Sequence, residues 1–137
     1  MIISDPSLEV KTSCENYAES ENSVSFTFCQ NGQCCKISGM PAQNQNCHAN
    51  KYGNNEVTKH GNCTIFGIGS KMEGSVTFSD SEVSATDAWR GEWVKLFFRD
   101  IVFVCPINGF IDGDGNGGDG PDYPRSLNFH CNLEGMF

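Results

Sequence analysis

Glu92-Trp-Val-Lys-Leu-Phe-Phe98 is the stretch that decides the fold, together with Ile101-Val-Phe-Val-Cys105, which follows after a short Arg99-Asp100 turn. In the first segment, large apolar side chains occupy both alternating faces. A strand that is covered on both sides has this composition, because successive side chains point to opposite faces of a sheet. The two segments therefore predict neighbouring core strands joined by a tight turn.

Other short runs rich in β-branched and aromatic residues lie on either side of this pair, separated by Gly, Asn and Asp. They cover residues 24–29, 35–39, 63–66, 75–78 and 126–133. About seven such runs predict an all-β protein, an antiparallel two-sheet sandwich of about seven to eight strands.

The domain organisation is simple, because 137 residues are enough for one packed core. Residues 1–22 are polar and predict an N-terminal arm, while residues 23–137 predict a single β-sandwich domain. Residues 40–61 are rich in Asn, Gln and Gly, which predicts a long loop. A helical turn is expected only within residues 84–90.

The chain contains an even, dispersed set of eight cysteines, which predicts disulfide bonds formed in an oxidising, extracellular compartment. They are Cys14, Cys29, Cys34, Cys35, Cys47, Cys63, Cys105 and Cys131. Paired Cys-x-x-Cys ligands for zinc are missing from the sequence. We expect a bridge between Cys105 and Cys131, which lie in the two strand runs that flank residues 112–122 and could lie side by side. Asn62-Cys63-Thr64 matches the N-glycosylation sequon and agrees with secretion.

The segment between these two strand runs has an unusual acidic composition, Asp112-Gly-Asp-Gly-Asn-Gly-Gly-Asp-Gly-Pro-Asp122. Carboxylate and amide oxygens at alternate positions are the ligands that Ca²⁺ prefers. The predicted ligands are Asp112, Asp114, Asn116, Asp119 and Asp122. The strand-like flanks and the lack of a final Glu argue against an EF-hand, so a calcium loop between two β-strands is expected. A flexible acidic hairpin loop is the alternative.

Charge and motifs exclude several classes of function. The net charge is −8 and the nine basic residues are scattered, so nucleic acid is not an expected partner. Anionic lipid would be repelled unless bound Ca²⁺ reversed the local charge. The sequence shows no nucleophile with an accompanying base, and the three His share no spacing. We therefore expect a protein that is not an enzyme.

The segment that leads into the first core strand, Asp87-Ala-Trp-Arg-Gly-Glu-Trp93, resembles the corresponding turn and strand of the PLAT (lipoxygenase-homology) β-sandwich family. The resemblance covers residues 22–131 by strand rhythm and 87–105 by motif. It implies a two-sheet sandwich whose end loops hold Ca²⁺ and contact membranes or partner proteins, without catalysis. Trp89 and Arg90 are the predicted partner-binding residues, with Trp89 partly exposed.

Three functions are compatible with these patterns. The first is a secreted, non-catalytic recognition module that binds an extracellular protein or glycan through calcium-ordered end loops. The second is a peripheral domain that binds membrane lipid in a calcium-dependent way. The third is an extracellular structural or signalling protein without a metal.

Overall fold

The computed structural model describes residues 6–14, 23–30, 32–40, 47–61, 71–79, 89–98, 101–111 and 124–136. These residues contain eight strands and one helix. In chain order they are β1 (Ser7–Thr12), β2 (Val24–Gln30), β3 (Gln33–Met40), β4 (Ala49–Tyr52), α1 (Asn54–His60), β5 (Lys71–Phe78), β6 (Trp89–Phe98), β7 (Ile101–Ile111) and β8 (Ser126–Met136). No helix in this described part of the chain has the length and apolar character needed to cross a bilayer.

The eight strands form one continuous antiparallel sheet in the order β3-β2-β5-β8-β7-β6-β1-β4. The prediction of an all-β antiparallel protein is confirmed. The division into two separate sheets is not confirmed, because β7 and β8 pair with each other at the middle of the order. Phe103 lies opposite Leu133 in this pairing, and Val104 lies opposite Asn132.

The sheet is strongly curled, as a half-barrel. The rings of Phe26 in β2 and Trp89 in β6 lie 6.3 Å apart, edge to face. Those two strands are four steps apart in the sheet, which would separate them by about 19 Å if the sheet were flat. The curl therefore brings the inner faces of distant strands together, as the two layers of a sandwich would be.

The core fills the inside of this curl. Phe26 packs against Phe28, and Phe28 packs edge to face against Phe129. Gly74 in β5 leaves room for this arrangement, since a Cβ atom there would lie 2.7 Å from Cζ of Phe129. The largest side chains that are fully buried are Trp89, Phe26, Phe28, Phe98, Leu8, Ile37, Met40, Met72, Leu96, Ile111 and Val24.

The predicted 40–61 loop contains both β4 and α1. Val57 of α1 is buried in the core, at 1% exposure. At the end of the helix, Gly61 lies against the backbone of Lys36 and Ile37 in β3, closer than any residue with a Cβ could approach. The helix also contacts β1 and β4. The helix therefore bridges the two edges of the curled sheet, β3 and β4. The sequence did not predict it, because its segment is polar and has only one buried apolar residue.

Residues 7–12 lie within the predicted N-terminal arm, and they form β1. This strand is paired on both sides, since Leu8 lies opposite Tyr52 of β4 and Leu96 of β6. Leu8, Val10 and Thr12 alternate inward and are buried. The arm thus contributes an inner strand to the sheet.

Three disulfide bonds join described residues: Cys14–Cys47, Cys29–Cys34 and Cys105–Cys131. The predicted Cys105–Cys131 bridge is confirmed. Cys35 is also disulfide-bonded, and none of the cysteines in the described ranges is free. Cys63, the sequon residue Asn62 and the predicted 63–66 strand lie outside the described residues.

Candidate functional site

The predicted calcium loop is flanked by the strands that the sequence indicated. β7 ends at Ile111 and β8 begins at Ser126. The predicted ligands themselves lie outside the described residues: Asp112, Asp114, Asn116, Asp119 and Asp122. In the two flanking strands, the bridge between Cys105 and Cys131 is almost completely buried, at 0% and 1% exposure. The acidic segment is therefore connected at both ends to a cross-linked strand pair.

The strand directions place this segment at one particular end of the sheet. Because every pairing is antiparallel, β1, β3, β5 and β7 all end where β2, β4, β6 and β8 begin. Four connecting segments leave the sheet at this end, which we call the acidic end. Segment 15–22 contains three acidic residues, segment 80–88 three and segment 112–123 four, so together they hold ten of the seventeen Asp and Glu of the chain. This grouping is not visible in the linear sequence.

The prediction of a partly exposed Trp89 is wrong. Trp89 is 1% exposed, and its indole Nε1 donates a hydrogen bond to Oγ1 of buried Thr12 at 3.1 Å. Gly91 makes this position possible, because a Cβ atom there would lie 2.7 Å from Cζ3 of the indole. No local sequence pattern shows this position, because the polar partner of the indole lies on a distant strand. The pairing of β6 with β1 brings Thr12 next to Trp89 inside the core.

Arg90 also makes contacts within the protein, at the acidic end of the sheet. Its guanidinium donates a hydrogen bond to Oγ of Ser13 at 3.1 Å and lies 5.9 Å from the ring centre of Phe110. Its backbone carbonyl accepts a hydrogen bond from the Ser13 amide at 3.0 Å. Arg90 is half-buried and joins the start of β6 to the end of β1 and to β7. These contacts support the frame beneath the acidic segments.

The described residues contain no group of three or more His, Cys, Asp or Glu that is suited to hold a metal ion. The donor set of segment 112–122, four carboxylates and one amide within eleven residues, has the hard oxygen chemistry that Ca²⁺ requires.

Two histidine side chains are described by the structure, those of His48 and His130. His48 is exposed, and Nδ1 of exposed His130 lies 3.8 Å from Oε1 of exposed Glu73. Exposed pairs of this kind contribute little to stability. Both histidines lie on the surface of the protein.

The outer face of the sheet presents a second aromatic feature. Trp93 is half-buried, and the Lys95 ammonium lies 4.5 Å from the centre of its ring. This is the geometry of a cation–π contact. Trp93, and not Trp89, is therefore the tryptophan on the outer face of the sheet.

Comparison with known proteins identifies the fold. No protein-family model matches the chain, and no curated protein matches it significantly. Among solved structures, an engineered LOX variant gives a TM-score of 0.56 at 11% identity, over 96% of this chain and 16% of that one. A LOX deletion variant in complex with arachidonate gives 0.54 at 12% identity, over 97% and 16%. Coral 8R-lipoxygenase gives 0.53 at 12% identity, over 97% and 17%, and is described as activated by calcium through a C2-like domain.

These similarities show a shared fold and nothing finer, since the identities are very low. The chain spans about one sixth of the length of the lipoxygenases, 16% of the first. It therefore corresponds in fold to a small PLAT-like part of those enzymes. The resemblance predicted from residues 22–131 is supported at the level of the fold.

Proposed function

We propose that this protein is a non-catalytic module that binds membrane lipid in a calcium-dependent way through its acidic end. The observation that carries the proposal is the fold: almost the whole chain superimposes on part of lipoxygenases, one of which is described as calcium-activated through a C2-like domain. Lipid binding was the alternative prediction from sequence. The similarity supports it over recognition of an extracellular protein or glycan.

Electrostatics explain why such binding depends on calcium. With a net charge of −8, the protein is repelled by an anionic membrane, and the repulsion is strongest at the acidic end. Asp112, Asp114 and Asn116 are the proposed first ligands, and Asp119 or Asp122 completes the set. A bound Ca²⁺ supplies positive charge that neutralises these carboxylates and attracts lipid phosphate. The segment is attached at its two ends to β7 and β8, which are joined by their buried disulfide.

The remaining parts of the proposed function are secretion, oxidative folding and glycosylation at Asn62. The disulfides support an oxidising compartment, since they are rare where thiols are kept reduced. Expression through a secretory pathway, followed by intact mass before and after removal of N-glycans, tests the glycosylation. A mass that does not change on this treatment would remove Asn62 from the proposal.

Sedimentation with liposomes tests the lipid-binding function. Vesicles that contain phosphatidylserine should pellet the protein at millimolar Ca²⁺ and release it when the metal is chelated. The Asp112→Asn/Asp114→Asn variant should stay in the supernatant. Glu134→Gln is the matched control, because it removes one exposed negative charge from the end of β8 opposite to the acidic end. It should pellet like the wild type.

Calorimetric titration with Ca²⁺ separates the possible outcomes. Calcium binding together with calcium-dependent pelleting supports the proposal. Calcium binding without pelleting would favour the recognition of a protein or a glycan, for which a glycan array with and without Ca²⁺ is the next assay. The absence of both would leave segment 112–122 an acidic hairpin loop and overturn the proposal.

A further inference from the structure

The disulfides of this protein differ sharply in their exposure to solvent. Cys105 and Cys131 are buried at 0% and 1% exposure. In the Cys29–Cys34 bridge one residue is half-buried and the other exposed, whereas Cys14 and Cys47 are both exposed. A thiolate must reach a sulfur atom in line with the bond that breaks, so exposure decides which bridge can react with an external thiol. The Cys14–Cys47 bridge is open to such attack and the Cys105–Cys131 bridge is not.

A lysine ammonium lies next to the sulfur atom of Cys14. Nζ of Lys11 is 3.5 Å from Sγ of Cys14. The lysine side chain is only 17% exposed, and the Glu92 carboxylate at 3.7 Å and the Thr12 carbonyl at 3.3 Å fix its position. A cation at this distance favours the thiolate form of a cysteine, which makes Cys14 the better leaving group of the pair.

The other cysteine of this bridge has an unfavourable backbone conformation. Cys47 has φ of 62°, in the left-handed region that residues with a Cβ atom rarely adopt. It is fixed there by the bridge and by the hydrogen bond from its amide to the Ser13 carbonyl, at 3.1 Å. Opening the bridge removes one of these two constraints, so the geometry favours release of Cys14 from Cys47.

From these three observations we infer that Cys14–Cys47 is a thiol-exchange site, at which small thiols such as glutathione form a mixed disulfide with Cys47. The thiol first loses its proton to solvent. Its thiolate then attacks Sγ of Cys47, a new S–S bond forms, the Cys14–Cys47 bond breaks, and the electron pair leaves on Sγ of Cys14 beside Lys11. A second thiolate can attack the mixed disulfide, releasing Cys47 as a thiolate and the two small thiols as their disulfide.

The position of the bridge gives the exchange a structural consequence. It joins the end of β1 to the start of β4, next to the hydrogen bond from the Thr12 amide to the His48 carbonyl. β4 has four residues, pairs only with β1 among the described strands, and forms one edge of the sheet. We expect the edge strand to loosen when the bridge opens, while the core strands stay paired. The inference is independent of lipid binding.

The test is limited reduction of the native full-length chain with reduced glutathione, followed by rapid alkylation and peptide mapping. Cys14 should become alkylated at least about tenfold sooner than Cys105 or Cys131, because the latter react only after local unfolding. The glutathione adduct should form on Cys47. An adduct mainly on Cys14, or earlier opening of the Cys29–Cys34 bridge, would overturn the inference.

Variants separate the role of the ammonium from general loosening of the strand. Lys11→Met keeps the hydrocarbon stem and removes the charge, so exchange should slow by about threefold, while Lys11→Arg should keep most of the rate. Lys71→Met, which removes an exposed lysine from β5, is the matched control and should leave the rate unchanged. Equal rates for Lys11→Met and Lys71→Met would refute the role assigned to Lys11.

Discussion

Replacing Thr12 by valine should show how much one buried hydrogen bond near the acidic end contributes to the stability of the protein. Valine has the shape of threonine but cannot accept the hydrogen bond from Nε1 of Trp89. Thr12 is 2% exposed and Trp89 1%, so no solvent reaches the indole N–H in its present position. An unpaired buried donor costs about 1–3 kcal/mol, and the added methyl group recovers up to about 0.8 kcal/mol.

With the full recovery subtracted, the net expectation for Thr12→Val is a loss of roughly 0.2–2.2 kcal/mol in the free energy of unfolding, with a middle value of about 1.2 kcal/mol. For a domain of this size it corresponds to a fall in Tm of about 5 °C. Calorimetry and chemical denaturation with the disulfides intact measure both quantities. Thr77→Val is the matched control, because the Thr77 hydroxyl donates to the Arg125 carbonyl at an exposed site where water can replace it.

A Trp89→Phe background isolates the hydrogen bond from other effects of the substitution. Phenylalanine has no N–H, so Thr12→Val should cost less than about 0.5 kcal/mol there. The reasoning fails if Thr12→Val destabilises the wild type no more than Thr77→Val does. It also fails if Thr12→Val costs the same in both backgrounds, since the loss would then have a different origin.

Three further outcomes are expected. Gly91→Ala should lower the free energy of unfolding by roughly 1–3 kcal/mol, because its methyl group would overlap the Trp89 indole, and a melting curve that matches the wild type would contradict this. Burial raises the pKa of Tyr52 above its ordinary value of 10.0. The stability that this buried neutral phenol contributes should therefore be fully present below pH 10 and decline above it. Absorbance titration of the wild type against Tyr52→Phe measures the raised pKa. Non-reducing peptide mapping should join Cys35 to Cys63, the remaining pair after three bridges are assigned, and a free thiol at either position would refute it.

Three of the inner strands could be predicted from the sequence because their apolar content is high and local. Residues 24–29 alternate apolar and polar side chains, residues 92–98 carry apolar groups on both faces, and residues 101–105 are wholly apolar. Each of these segments lies within a strand of the structure. β7 continues six residues past its predicted end, to Ile111. Pro106 has no N–H to pair, and the sheet accommodates it where the β6–β7 register shifts, opposite Trp93.

β1 and α1 could not be predicted, since their stability comes from partners far away in the sequence. β1 has only six residues in a polar segment, and α1 buries a single valine. Such weak local signals give stable elements only when the curled sheet provides the surface on which they pack. The same dependence on tertiary structure explains Trp89, whose buried position requires Thr12 and Gly91.

Part of the candidate site could be predicted, and part depended on topology. The acidic run at 112–122, its flanking strands and the Cys105–Cys131 bridge are all readable in the sequence. The gathering of segments 15–22 and 80–88 at the same end follows from the antiparallel strand order, which no local pattern contains. The predicted role of Arg90 in partner binding remains a proposal, although its guanidinium already contacts Ser13 and Phe110.

The position of β1 between β4 and β6 also affects how the chain reaches its native state. Leu8 must pair with Leu96, so most of the polypeptide has to be synthesised before the first strand can find its inner neighbour. Closing so long a loop carries a large entropic cost, and sheets dominated by such distant pairings fold in milliseconds to seconds. Until that happens, Leu8 and Val10 stay uncovered on a nascent chain. Refolding after dilution from denaturant should therefore be limited by the docking of residues 7–12.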